Sequence, residues 1–160
     1  MGRDWHRAAQ SSFASQWAVK LLLDTGILGQ ICHPRKDADV RAWFRRAVQE
    51  HAFLVSELAD YELRRELIRL GAARSLSRLD ELTRELPYVP VTTATWRRAA
   101  ALWAAARNTG NVTAPPEALD GDVLVAAQAL EESAVVLTNN TRHFESLSVR
   151  AVDWTAVPLP

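Results

Sequence analysis

From residue 18 onward the apolar positions alternate between two kinds of pattern. Short apolar runs occupy residues 19–23 (around Lys20), 52–55, 88–91 and 134–137, with a weaker one at 149–152. Runs of this length read as strands covered on both faces. Between them the period changes to that of a helix. Residues 38–50 set Val40, Trp43, Phe44, Ala47 and Val48 on one face and Arg41, Arg45 and Arg46 off it. The next helix carries the stripe Ala59, Leu63, Leu67 and Leu70, with Gly71 placed to end it. Leu76, Leu79, Leu82 and Leu86 predict another, stopped by Pro87. Thr92 or Thr93 caps a helix bearing Trp96, Ala99, Ala100, Trp103 and Ala106, which ends at Gly110. Asp120 opens a helix that is apolar nearly all round, from Val123 to Ala127. Strands alternating with helices in this way predict an α/β sandwich around a mostly parallel sheet of about five strands.

A chain of 160 residues suits one domain. Residues 1–17 are polar and aperiodic and read as a loose extension, leaving 18–160 as the domain. The single cysteine, Cys32, excludes an intrachain disulfide and a multi-cysteine zinc site, and reads as a buried thiol. Nineteen basic residues balance nineteen acidic ones, so nothing in the bulk charge points to nucleic acid. Arginine supplies every basic residue except Lys20 and Lys36, and the clusters at 41, 45, 46 and at 64, 65, 69 read as solvated helix faces. No apolar run approaches the roughly 18 residues of a membrane span, and residues 1–17 hold no apolar core of a signal peptide. The expected setting is cytoplasmic, without a membrane.

Ligands of such sheets bind beyond the carboxyl ends of the strands. Asp24 ends the first apolar run, Glu57 follows the second, and Asn139-Asn140 follows the fourth, while Asp120 and Asp122 begin the helix before it. Any one of these reads most simply as a helix cap. Together they predict clustered carboxylates, which repel one another unless a cation neutralises them. Oxygen donors without histidine or cysteine favour Mg²⁺ or Mn²⁺. His33, His51 and His143 are scattered and read as ordinary surface or core histidines, and Asp60 as the i, i+4 partner of Arg64.

The pieces LLLDTGIL, VSELADYEL, LDGDVLVAAQAL and VVLTNNTRHF, in that order and in those contexts, resemble PIN-domain ribonucleases, most closely the VapC-type toxins of bacterial toxin–antitoxin pairs. The resemblance runs from about Ala18 to the end. It implies a three-layer α/β/α fold and a Mg²⁺- or Mn²⁺-dependent endoribonuclease leaving a 5′-phosphate and a 3′-hydroxyl. It implies Asp24 and Asp122 as metal ligands, Glu57 as a third acid on the metal or the attacking water, and Asn140 positioning a water or a phosphate oxygen. Thr138 matches the hydroxyl residue preceding that position, and Asp120 is either a fourth ligand or the cap of its helix.

Two positions depart from the family pattern: Gly26 stands where Asn or Ser is usual, and Asn140 is neutral. The resemblance also implies a homodimer and a protein antitoxin, for which Trp43, Phe44 and Tyr61 would offer aromatic surface near the site. The alternative is a PIN-like fold that has lost catalysis and serves as a binding or structural module. A haloacid-dehalogenase phosphatase needs a second aspartate where Gly26 stands, and a receiver domain needs a late lysine where Lys36 is the last.

Overall fold

In the computed structural model, which describes residues 18–110 and 116–159, five parallel strands form one sheet in the order β3-β2-β1-β4-β5. They are β1 (Lys20–Leu23), β2 (Ala52–Ser56), β3 (Tyr88–Val89), β4 (Val135–Leu137) and β5 (Ala151–Val152). The helices are α1 (Thr25–Cys32), α2 (Ala38–Ala47), α3 (Glu57–Arg69), α4 (Ala73–Glu85), α5 (Thr93–Asn108), α6 (Pro116–Glu131) and α7 (Thr141–Ser146). The expected extension, residues 1–17, lies outside the described residues.

The layering follows from the period of two along a strand. Leu21 and Leu23 of β1 turn into one core with Phe53, Val55 and the apolar faces of α1 to α4. Leu22 turns the other way, joining Leu54, Val136 and the buried residues of α5 to α7. Helices therefore cover both faces of a parallel sheet, which is the expected three-layer α/β/α sandwich.

Several elements differ locally from the expectation. The third strand is only Tyr88–Val89, because Pro90 has no N–H and the Val91 N–H is taken by the Glu57 carboxylate. α6 begins at Pro116, a residue suited to the first helical position, so Asp120 lies inside the helix and does not cap it. Leu70, expected in the α3 stripe, is exposed, and Gly71 after it has φ 62°. There the Gly71 N–H reaches Ile68 O and the Ala72 N–H reaches Leu67 O, the paired bonds of a left-handed helix end. Trp43 and Phe44 are buried against Phe53, with ring centroids 5.9 and 5.0 Å away, and offer no partner surface. Trp96 and Trp103, on the apolar stripe of α5, are exposed.

One buried polar bridge ties the layers together. Gln128 of α6 is fully buried, accepts from Ser56 Oγ at 2.6 Å and donates to Val89 O at 2.8 Å. Ser56 in turn caps α3 by accepting from the Ala59 N–H. Replacing Gln128 by Leu strands the Val89 carbonyl and removes a partner from Ser56, so the expected loss is about 2 kcal/mol in chemical denaturation. An unchanged midpoint would show the bridge to be dispensable.

Candidate functional site

The strand order reverses between β1 and β4, and in open parallel sheets the crevice at that reversal is where ligands bind. Asp24 sits at this point. Its backbone N–H donates to Leu137 O, continuing the β1–β4 ladder by one residue. Its Oδ1 accepts from the Thr25 N–H at 2.8 Å, capping α1, and its Oδ2 accepts from Thr138 Oγ1 at 2.8 Å. The Thr138 hydroxyl is buried and also accepts from the Asn140 N–H at 3.0 Å. Both oxygens of Asp24 are thus held by groups anchored in the sheet ends.

Asp122 approaches from α6, and its Oδ2 lies 3.1 Å from His143 Nδ1 of α7. Burial pushes the carboxyls of both Asp24 and Asp122 above the usual carboxylate range. The charge of Asp24 pushes Asp122 up further, and Glu62 pushes both in the same direction. Thr138 and the Thr25 N–H oppose the rise at Asp24, as His143 does at Asp122. The two aspartates expected to form the site are brought together, Asp122 lying within reach of the Asp24 charge and both within reach of Glu62 and His143.

The carboxylate whose charge reaches both aspartates is Glu62, not the expected Glu57. Glu57 and Glu62 are five residues apart on α3, about 140° around the helix. Glu57 Oε2 accepts from the Val91 N–H at 2.6 Å, on the β3 side of β2 and away from β1. It ties α3 to the chain after β3 and does not reach the aspartates. Glu62 faces the other border, where its Oε2 accepts from Thr25 Oγ1 at 2.6 Å. Both glutamates stand in VSELADYEL, so a helical wheel of α3 was the available signal. His143, expected as an ordinary histidine with a place after Asn140 from which it could touch substrate, is the partner of Asp122.

The remaining candidates resolve individually. Asp120 is exposed and lies about 200° around α6 from Asp122. It lines a groove with Leu58, Tyr61, Trp96 and Trp103 instead of facing Asp24. Asp120→Ala should therefore shift stability by less than about 0.5 kcal/mol, as an exposed substitution away from any cap does; a loss near 1 kcal/mol would restore the capping role. Asn140 is exposed at the start of α7 and its side chain makes no cap bond there. Neighbouring Asn139 donates through Nδ2 to Gln30 at 3.0 Å and stands over Gly26, where an added Cβ would meet it at an ordinary 3.6 Å. Asp60 is taken up by Arg64 and by the Tyr88 hydroxyl. His51 joins the Val19 N–H to Pro158 O, and His33 Nδ1 accepts from the turn that follows it. Burial pushes the Cys32 thiol up to about 12, far from nucleophilic use.

Among the described residues, no three Asp, Glu, His or Cys side chains already form a set that would hold a metal ion as they stand. The donor chemistry nevertheless fits one. Two carboxyls raised by burial and by the neighbouring Glu62 charge, Asp122 also by Asp24, form a site that a hard cation relieves. α6 contributes Asp122 about one turn before the buried Val125 and Ala126.

No helix among the described residues is long and apolar enough to cross a membrane. No curated protein sequence matches the chain. Solved structures do. VapBC2 from Rickettsia felis, bound to a DNA fragment of its promoter, superimposes with a TM-score of 0.69 at 17% identity, covering 85% of this chain and 99% of that one. DNA-bound VapBC from Salmonella typhimurium gives 0.69 at 23%, covering 85% and 98%. FitAcB from Neisseria gonorrhoeae gives 0.66 at 21%, covering 85% and 99%. At these identities the likeness is one of fold. The PIN domain model, however, matches residues 21–149, a span that takes in all of β1 but Lys20, the four quoted segments and both aspartates, and the chain belongs to the PIN-domain family.

Proposed function

We propose that the chain is a divalent-metal-dependent endoribonuclease and the toxin of a toxin–antitoxin pair. PIN domains are in general nucleases that use divalent metals. The observation that carries the reading for this chain is the meeting of Asp24, Asp122 and Glu62 at the switch point of the sheet. These three would hold the ion, Mg²⁺ or Mn²⁺. When bound, such an ion lowers the pKa of a water and offsets the charge of a scissile phosphate.

The protein's own groups would prepare that chemistry. Thr138 and the α1 N-terminus fix the Asp24 carboxylate so that it needs little reorganisation. His143, its ring partly exposed, orients Asp122 through Nδ1. Asn140, exposed beside Thr138, would offer its amide to a phosphate oxygen. No side chain need act as a covalent nucleophile.

The test is cleavage of a panel of structured and single-stranded RNAs by the wild type with Mn²⁺ or with EDTA. Metal-dependent cutting and a Mn²⁺-induced rise in the thermal midpoint are the expected results. Absence of both would leave the binding-module reading in its place. The antitoxin is supported by fold neighbours, three of which are VapBC or FitAB assemblies bound to DNA. We further propose a homodimer, whose surface would be the exposed aromatic side chains Tyr61, Trp96 and Trp103 around one groove. Light scattering at tens of micromolar should give about twice 17.8 kDa; a clean monomer would remove the dimer.

A further inference from the structure

Gly121 lies inside α6, between Asp120 and Asp122, where glycine is the poorest helix former after proline. Its backbone does not call for glycine, since the described glycines with positive φ are Gly71 and Gly110. What the position does need is space. A Cβ built on Gly121 would lie 2.8 Å from Glu62 Oε1 and 3.8 Å from its Cδ. No real Cβ tolerates the shorter distance. The Glu62 carboxylate is therefore gripped on both sides, with Thr25 Oγ1 donating to Oε2 and the bare backbone of α6 lying against Oε1.

We propose that Gly121 is a positioning residue for Glu62: the missing side chain leaves a notch in α6 that lets the carboxylate stand beside Asp24 and Asp122. The proposal deepens the metal-dependent reading above and rests on it for its functional consequence. A methyl group in the notch would meet the free end of a flexible side chain, which yields. The fold would survive and gain a better helix former, while the carboxylate would leave its place and its bond to Thr25. A substitution that favours the helix and harms the site is the signature of a positioning role.

The experiment compares wild type, Gly121→Ala, Glu62→Gln and the double variant. Without metal, Gly121→Ala should melt at the wild-type temperature or above, and its crystal structure should show the Thr25–Glu62 bond broken. With Mn²⁺, the concentration giving half of the thermal shift should rise by about tenfold or more, as loss of a ligand's support typically causes. RNA cleavage should fall in parallel. The double variant should be no worse than Glu62→Gln alone, because both changes remove the same interaction.

An intact Thr25–Glu62 bond in Gly121→Ala would overturn the proposal, whether or not the protein binds an ion. So would wild-type Mn²⁺ response in that variant, or losses that multiply in the double variant. If the wild type itself neither responds to Mn²⁺ nor cuts RNA, the nuclease reading fails, and the structural arm still decides whether Gly121 places Glu62.

Discussion

Asp24→Asn and Asp122→Asn should each lower Mn²⁺-dependent RNA cleavage by about a hundredfold or more, the scale on which a single preorganised charge-stabilising group acts. Neither should unfold the chain. Both carboxyls are pushed above their ordinary range, chiefly by burial. A folded-state pKa above the unfolded one means that ionisation works against folding. That group's contribution is fully present below the unfolded pKa and is lost as pH rises through the folded pKa. At neutral pH and without metal, each ionised aspartate therefore burdens the fold, and the amide relieves it.

Asp122→Asn should melt higher than wild type in EDTA, since its bond to His143 has a neutral replacement. Asp24→Asn should be closer to neutral, because an amide has one oxygen where the carboxylate accepts from both Thr25 and Thr138. Thermal unfolding across a pH series in EDTA, followed by Mn²⁺ addition, checks all of this. Equal cleavage by wild type and Asp24→Asn would end the metal-site reading.

Much of this arrangement was legible in the sequence because it depends on local pattern. The continuous run at Leu21, Leu22 and Leu23 can only be a strand covered on both faces, and Asp24 after it must then lie at a carboxyl end. Asp122 was legible for a similar reason, as the acid that directly precedes the unbroken apolar stretch Val123–Ala127 of its helix. What pattern could not convey were choices made over long range. Whether α6 starts at Pro116 or Asp120 is decided by a proline that reads equally as loop. Trp96 and Trp103 fall on an apolar stripe, yet α6 covers only part of that helix and leaves both exposed. Trp43 and Phe44 went the other way, because Trp154, beyond β5, packs on Trp43 and Phe53 of β2 packs on both.

The same limit explains the glutamate. On a wheel of α3, Ala59, Leu63 and Leu67 define the buried stripe; Glu57 and Asp60 fall on one border of it, Glu62 and Leu58 on the other. Both borders are suited to a functional acid until the strand order is known. With β2 between β3 and β1, the first border faces β3, where Glu57 meets Val91 and Asp60 meets Tyr88. The second faces β1 and α6, where Glu62 meets Thr25 and the notch at Gly121.

A pair of otherwise matched substitutions separates the two borders. Glu62→Gln should lower Mn²⁺-dependent cleavage by about a hundredfold and shrink the Mn²⁺-induced thermal shift, with little change in metal-free stability, because the amide can still accept from Thr25. Glu57→Gln should leave cleavage and the metal response as in wild type. Its cost should be under about 1 kcal/mol of stability, since the Val91 N–H trades a charged acceptor for a neutral one. Measured side by side, loss of cleavage in Glu57→Gln with retention in Glu62→Gln would reverse the assignment and return the third acid to the strand end.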